Sequence, residues 1–206
     1  MYLPFQVYKI YPSLLDSWYN YSIGRWETKS SILSKLSRVK FPQSNAMLRG
    51  IALEKAVNSP EVSYYADGFY FKKNIIEEIR EHVQGGATSV YSETILKWND
   101  KEILLYGIAD YVKQNKVIDL KSTKQYSVGK YLNNFQHHCY PLTHNKEGVG
   151  IDEFEYLVTD FKEVFKETYS YNPSESISKV LDACFELIAF AHENEKLILD
   201  RKFFGE

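Results

Sequence analysis

Asp119-Leu120-Lys121 closes an apolar run, and Gly107-Ile108-Ala109-Asp110 stands one strand and one turn before it. Two carboxylates and a lysine from neighbouring strands are the groups needed to hold Mg²⁺ or Mn²⁺ against a phosphodiester and attack it with water. Residues 104–111 and 117–122 are β-branched and aromatic and are separated by the polar Lys113-Gln114-Asn115-Lys116, so they read as a hairpin. With Gln114 and Asn115 as the loop, Lys113 pairs with Lys116, Val112 with Val117, Tyr111 with Ile118, and Asp110 falls opposite Asp119. Side chains two apart share a face, which puts Lys121 beside Asp119 and turns Ile118 and Leu120 into the opposite layer. Opposed like charges with Cβ atoms about 5 Å apart repel, and such a pair is tolerated chiefly where a cation or proton lies between. The Gln-Asn turn lacks the glycine that such loops prefer, and a slip of one residue would turn one carboxylate away. A second Asp-x-Lys, Asp160-Phe161-Lys162, has no Gly-x-x-Asp strand paired to it and reads as a solvated strand end.

A third acidic group comes from the run Leu48-Arg49-Gly50-Ile51-Ala52-Leu53-Glu54-Lys55-Ala56-Val57. On a helical wheel Glu54 falls between Ile51 and Val57, and the helix is apolar over most of its circumference, which predicts that it is largely buried. A buried carboxylate stays ionised only with a partner such as a divalent cation; the plainer alternative is a surface Glu paired with a lysine. Further on, Val128, Tyr131, Leu132, Phe135 and Cys139 recur at helical spacing behind Ser127, a good N-cap, which predicts a helix over 127–140. Gln136 and Tyr140 then lie one above the other, an amide and a phenol able to bind a phosphate or steady a lysine. Pro141 directly follows and is expected to close that helix at Tyr140.

The ordered set Gly50-x-x-x-Glu54, Gly107-x-x-Asp110, Ile118-Asp119-Leu120-Lys121 and Gln136-x-x-x-Tyr140 resembles the PD-(D/E)xK nuclease superfamily, in its RecB-like and phage (lambda-type) exonuclease branch. Tyr11-Pro12-Ser13-Leu14-Leu15-Asp16-Ser17-Trp18-Tyr19-Asn20-Tyr21 is similar to the start of such domains, so the resemblance spans roughly residues 10–165. It implies metal ligands at Glu54, Asp110, Asp119 and the backbone carbonyl of Leu120, holding one or two Mg²⁺ or Mn²⁺ ions. It implies that Lys121 orients or activates water and stabilises phosphate charge, with Asp119 at the catalytic centre and Gln136 and Tyr140 in support. Many RecB-like members carry His where this chain has Glu54, and phage-exonuclease-like members carry Glu, so the resemblance leans toward the latter. Relatives with an iron–sulfur cluster need four cysteines; this chain has Cys139 and Cys184 alone, which excludes such a cluster.

At 206 residues, 44% hydrophobic and 16% aromatic, the chain can form one domain with a substantial core. No apolar run approaches the roughly 20 residues of a membrane helix, and Met1-Tyr2-Leu3-Pro4 does not read as a secretion signal, so the expected location is the cytoplasm of a bacterial or phage-infected cell. The net charge is −2, yet it is unevenly spread. Arg25, Lys29, Lys35, Arg38, Lys40, Arg49 and Lys55 face only Glu27 and Glu54, and Lys113, Lys116, Lys121, Lys124 and Lys130 face only Asp119, whereas the stretch after Gly150 is acidic. Arg49, Lys124 and Lys130 are therefore expected to track a nucleic-acid backbone. Aromatic residues interleaved with these cations suit base stacking at a frayed end or single strand, although most rings belong in the core. His137, His138 and His144 lack zinc-like partners and read as surface or phosphate-facing, and Cys184 lies on the apolar stripe of the closing helix.

The expected map is helical over 10–40 and 46–58, a tyrosine-rich link and second helix over 61–83, and a break at Gly85-Gly86. Strands follow over 89–98, 102–112 and 116–122 with a turn at Asn99-Asp100, then the helix at 127–140, strands at 153–161 and 165–171, and a helix over 173–196. This is an α/β fold with a restriction-endonuclease-like core (helix, three-stranded antiparallel meander, helix, strand) over about 46–170, in a single domain 1–206 with N- and C-terminal helices. The expectation is a metal-dependent deoxyribonuclease, most simply an exonuclease acting on a duplex end or single strand in recombination, repair or end processing. By family analogy it could work as a homo-oligomer. The alternatives are a non-catalytic nucleic-acid-binding or assembly protein on the same fold, or a restriction-type endonuclease.

Overall fold

The computed structural model describes residues 7–59, 64–99 and 101–206. Met1 to Pro4, Asp100 of the expected turn and the first residues of the tyrosine-rich link lie outside them. The chain runs β1 (Val7–Ile10), α1 (Pro12–Ser22), α2 (Lys29–Leu36), α3 (Asn45–Asn58), β2 (Tyr65–Ala66), β3 (Phe69–Tyr70), α4 (Lys73–Val83), β4 (Ala87–Trp98), β5 (Lys101–Lys113) and β6 (Lys116–Ser122). Then come α5 (Gln136–Lys146), β7 (Glu153–Thr159), β8 (Val164–Ser170), α6 (Pro173–Glu193) and two closing 3-10 turns. The result is a mixed α/β fold with one six-stranded sheet and helices on both faces.

Three strands share β5. From Lys101 to Val112 it pairs antiparallel with β4, which occupies one edge. The other edge is divided: β1 runs parallel to it up to Leu105, and β6 pairs antiparallel with it only from Tyr111 to Lys113. Between them the β5 edge from Tyr106 to Asp110 has no strand partner among the described residues, so the sheet forks there. β6 continues along parallel β7, reached through α5, and β8 closes the sheet antiparallel to β7.

The hairpin register is the one read from the sequence, Tyr111 with Ile118, Val112 with Val117 and Lys113 with Lys116. Gln114 takes a φ of +55°, supplying the left-handed residue for which a glycine is usually chosen. Ile118 and Leu120 pack with α3 and α4 against Ala52, Leu53, Ile75 and Ile79. Val117, Phe154, Tyr156 and Val158 face the α5 layer.

The expected helix over 127–140 is corrected. Residues 128–133 form turns, Gly129 has a φ of +77°, and α5 begins only at Gln136. Nor does Pro141 close it: the helix runs through Pro141 to Lys146. A proline at the sixth helical position removes one N–H and weakens the helix, and burial of every residue from Gln136 to His144 outweighs that loss. The same burial corrects the surface reading of the histidines. His137 meets the Tyr156 hydroxyl at 3.3 Å and His138 the Ser176 hydroxyl at 3.0 Å. Burial holds their imidazoles down to about 3 and about 4, so both are neutral at physiological pH. α3 departs in the other direction: Ala52, Leu53, Ala56 and Val57 are buried, but Met47, Leu48 and Ile51 are exposed, because only one face meets the sheet and α4. Cys184 is fully buried in the core, as its place on the α6 stripe predicts.

Candidate active site

The fork in the sheet is where the acidic residues converge. The β5–β6 ladder ends one step before Asp110 and Asp119, and there the Asp110 carboxylate replaces the missing backbone partner, accepting the Leu120 N–H at 2.8 Å. The free β5 edge is supported a second time by the Tyr140 hydroxyl, which donates to the Ile108 carbonyl at 2.8 Å. Tyr140 thus holds the fork open from α5, and its phenol is directed at backbone. Gly107 makes this approach possible, since a Cβ there would stand 2.8 Å from Tyr140 Cε1.

A second irregularity places Asp110. Gly107 and Ala109 face the α5 layer, but Tyr111 faces α3 and α4, so the in–out alternation of β5 changes phase around Asp110. Ser89, which sits across from Asp110 in β4 between the pairs Thr88–Tyr111 and Val90–Ala109, has a φ of +52°. Left-handed backbone at a non-glycine residue costs on the order of 1 kcal/mol and is retained where the surroundings impose it. No residue type in this stretch signals the kink.

Asp119 is almost fully buried on β6. Its Oδ1 accepts a hydrogen bond from Gln136 Nε2 at 2.7 Å, and its Oδ2 lies 2.7 Å from Lys121 Nζ without a well-aligned hydrogen bond. Gln136 is the first residue of α5, so the start of that helix determines how the carboxylate is held. Glu54 reaches the site from α3, where Gly50 permits close packing: a Cβ there would lie 3.3 Å from Ser122 Oγ at the end of β6. Among the described residues Glu54 has no lysine partner, and Lys55 pairs with Asp67 instead.

Asp16 joins this group from α1, a residue whose sequence context gave no reason to single it out. Its carboxylate accepts the Phe135 N–H just ahead of α5 and lies in the field of Lys121 and Asp119.

Four carboxyls around one ammonium leave the site short of positive charge. Burial, followed by the charges of Asp119 and Glu54, pushes Asp110 up to about 8. Burial pushes Asp16 up to about 7 against the pull of the Phe135 N–H and Lys121. Glu54 is raised by burial and by Asp119. Burial pulls Lys121 down, but Asp119, Asp110 and Asp16 overcome this and hold it above the ordinary lysine value, so it is an ammonium at neutral pH. It can therefore donate hydrogen bonds and offset anionic charge, but it is not a base in this arrangement.

No three His, Cys, Asp or Glu side chains among the described residues form a ready-made ligand set. The donors nevertheless suit a hard cation: they are carboxylate oxygens, they repel one another, and Asp119 Oδ2 is a buried oxygen lacking an aligned hydrogen-bond donor.

Of the cations expected to track a backbone, Arg49 is the best placed. Its guanidinium stacks over the Phe161 ring at 3.5 Å, Phe161 stacks on Phe71, and Arg49 enters no ion pair among the described residues. Lys130 is exposed but folds back on Gln125 O (2.8 Å) and Thr123, bracing the loop after β6, and Lys124 is exposed on that loop. The second Asp-x-Lys is a turn, with Asp160 Oδ1 accepting the Lys162 and Glu163 N–H groups.

Gly107→Ala is expected to drive the new methyl into Tyr140, whose ring stacks on Phe154, and to cost about 2–3 kcal/mol. Tyr140→Phe, which keeps the ring and loses the bond to Ile108, should cost about 1 kcal/mol. Thermal unfolding separates the two, and equal melting temperatures for Gly107→Ala and the parent chain would refute the close packing.

No family model matches this sequence, and no curated protein matches it. Among solved structures, the crystal structure of SSO0001 is similar with a TM-score of 0.50 at 15% identity, over 86% of this chain and 75% of that one. At that identity the likeness speaks to the α/β architecture alone. No helix among the described residues is long and apolar enough to cross a membrane.

Proposed function

We propose that this protein is a metal-dependent deoxyribonuclease of the PD-(D/E)xK type that hydrolyses phosphodiester bonds at DNA ends. The observation that carries the reading is Asp119 held between Gln136 and Lys121 at a fork in the sheet, with its charge raising the proton affinity of both Asp110 and Glu54. The order α3, the meander β4–β5–β6, α5, then β7 parallel to β6 agrees with the restriction-endonuclease-like core that such enzymes share.

Glu54, Asp110, Asp119 and the Leu120 carbonyl would hold Mg²⁺ or Mn²⁺, which when bound supplies Lewis acidity to the phosphodiester and to water. Lys121, as an ammonium, orients the attacking water through its N–H groups and offsets the charge that builds on the phosphate oxygens. Gln136 fixes the rotamer of Asp119, so that this carboxylate presents Oδ2 and not Oδ1 to the site. Arg49, flat on Phe161 with its N–H groups at the edge, suits a backbone phosphate near the site.

The test is incubation of the purified chain with end-labelled linear duplex, single-stranded and closed circular DNA in Mg²⁺, Mn²⁺ or EDTA. Metal-dependent release of label from linear DNA, with circles untouched, is the expected result. Inertness toward every substrate in both metals, with DNA still bound, would overturn the proposal.

Arg49→Ala is expected to weaken duplex binding in EDTA about tenfold and to lower the slope of log K against log salt by about 1. Arg49→Lys should recover only part of this, because an ammonium neither stacks on the ring nor forks onto phosphate. Fluorescence anisotropy across a salt series reads both quantities, and an unchanged slope would remove Arg49 from the interface.

A further inference from the structure

α5 is poorly equipped to define its own beginning. Phe135 occupies the N-cap with no side-chain acceptor, and Pro141 deletes a hydrogen bond one and a half turns later. In a capping box the third helical residue reaches back to the N–H of the cap, but here that residue is His138, which is engaged with Ser176 at 3.0 Å. The missing acceptor arrives from another helix: Asp16 Oδ1 takes the Phe135 N–H. Asp16 is in turn anchored, since α1 carries Trp18, bonded to Glu186 of α6 at 3.2 Å, and Leu14 and Leu15, both fully buried. The next residue after Phe135 is Gln136, whose amide holds Asp119 at 2.7 Å.

We propose that Asp16 is a positioning residue that caps α5 from α1 and thereby sets Gln136, and through it the rotamer of Asp119. The assignment rests on the nuclease reading for its catalytic consequence, but the link from Asp16 to Gln136 stands on contacts alone. It makes α1 part of the machinery, with Asp16 acting through Phe135 and Gln136.

Three full-length variants separate the cap from the charge. Asp16→Asn keeps an acceptor oxygen in place and removes the charge; Asp16→Ala removes both; Asp16→Glu keeps the charge and displaces the acceptor by a methylene. The first readout is ¹⁵N NMR of the Gln136 side-chain amide and hydrogen exchange of the Phe135 amide. The second is kcat and KM for metal-dependent hydrolysis of linear duplex. Asp16→Ala is expected to move the Gln136 resonance, speed Phe135 exchange at least about tenfold, and lower kcat about tenfold with KM unchanged. Asp16→Asn should restore all three, and Asp16→Glu should behave like alanine, which keeps the comparison intact if the alanine variant does not fold. A Gln136 resonance unmoved by the loss of the acceptor would overturn the proposal. So would an asparagine variant as impaired as alanine, because the charge beside Lys121 would then be what matters. If the parent chain hydrolyses nothing, the nuclease reading fails by itself, and the NMR readout still decides whether Asp16 sets Gln136.

Discussion

Lys121→Ala is expected to lower metal-dependent hydrolysis of linear duplex DNA by about 10³-fold while leaving duplex affinity in EDTA within about twofold. The reason lies in how the site is charged. Lys121 is the ammonium among Asp16, Glu54, Asp110 and Asp119, and its Nζ stands 2.7 Å from Asp119 Oδ2. Without it the four carboxyls lose the ammonium that lies among them and offsets the charge on an attacked phosphate. Asp119→Ala should be at least as severe, and the double variant no worse than the worse single one, because groups acting as a unit do not contribute additively. Single-turnover kinetics with saturating enzyme read the chemical step apart from binding. Full activity in either single variant would remove that residue from the chemistry.

Asp110→Asn is expected to do something less intuitive: abolish hydrolysis and stabilise the metal-free protein at pH 8. Asp110 in the folded state titrates at about 8, against 3.8 ordinarily, with burial as the main cause. Between those values the native state retains a proton that the unfolded chain has lost, so stability is greatest below about pH 4 and declines as pH rises through this window. Asp16, titrating at about 7, adds a decline of the same sign. An asparagine keeps the acceptor for the Leu120 N–H and removes the buried charge. The gain at pH 8 in EDTA should be on the order of 2 kcal/mol, or about 5 °C in Tm, should shrink as pH falls, and should vanish below about pH 4. Millimolar Mg²⁺ should raise the Tm of the parent chain at pH 8 and leave the variant nearly unmoved. Equal melting temperatures for the two proteins at pH 8 would show that Asp110 is not strained by its surroundings.

What could be read from the sequence is what strict alternation encodes. The β5–β6 register, the opposite layers taken by Ile118 and Asp119, and the closing helix behind Asn172-Pro173 all follow from local pattern. The two-residue hairpin β2–β3 is also locally encoded: Asp67-Gly68 has φ values of +46° and +88°, the turn such a pair favours, and the surrounding tyrosines obscured it. The start of α5 was not legible, because apolar spacing over 128–139 mimics a helix while Gly129 and the acceptor from Asp16 place the true start at Gln136. Burial of α3 was overstated for a related reason. A helical wheel counts apolar residues, but only the packing partner decides how many are covered, and Met47, Leu48 and Ile51 stay exposed. The phase change at Asp110 leaves no trace in composition, since Ser89 is the residue that bends. Asp16 was invisible because its role is defined by a contact 119 residues away.

The fork in the sheet also divides the interior. Leu105 of β5 belongs to a core built with α1, α2 and α6, whereas Tyr111 belongs to one built with α3 and α4. The five residues of β5 between Leu105 and Tyr111 carry the free edge, secured by side chains from Tyr140 and Asp110 in place of a strand. The carboxylates therefore sit on a seam between apolar clusters, and mutual repulsion there opposes their packing. Any charge neutralised at that seam, by a proton or by a cation, acts as a clasp on the whole molecule, so occupancy of the site and cohesion of the fold become one equilibrium.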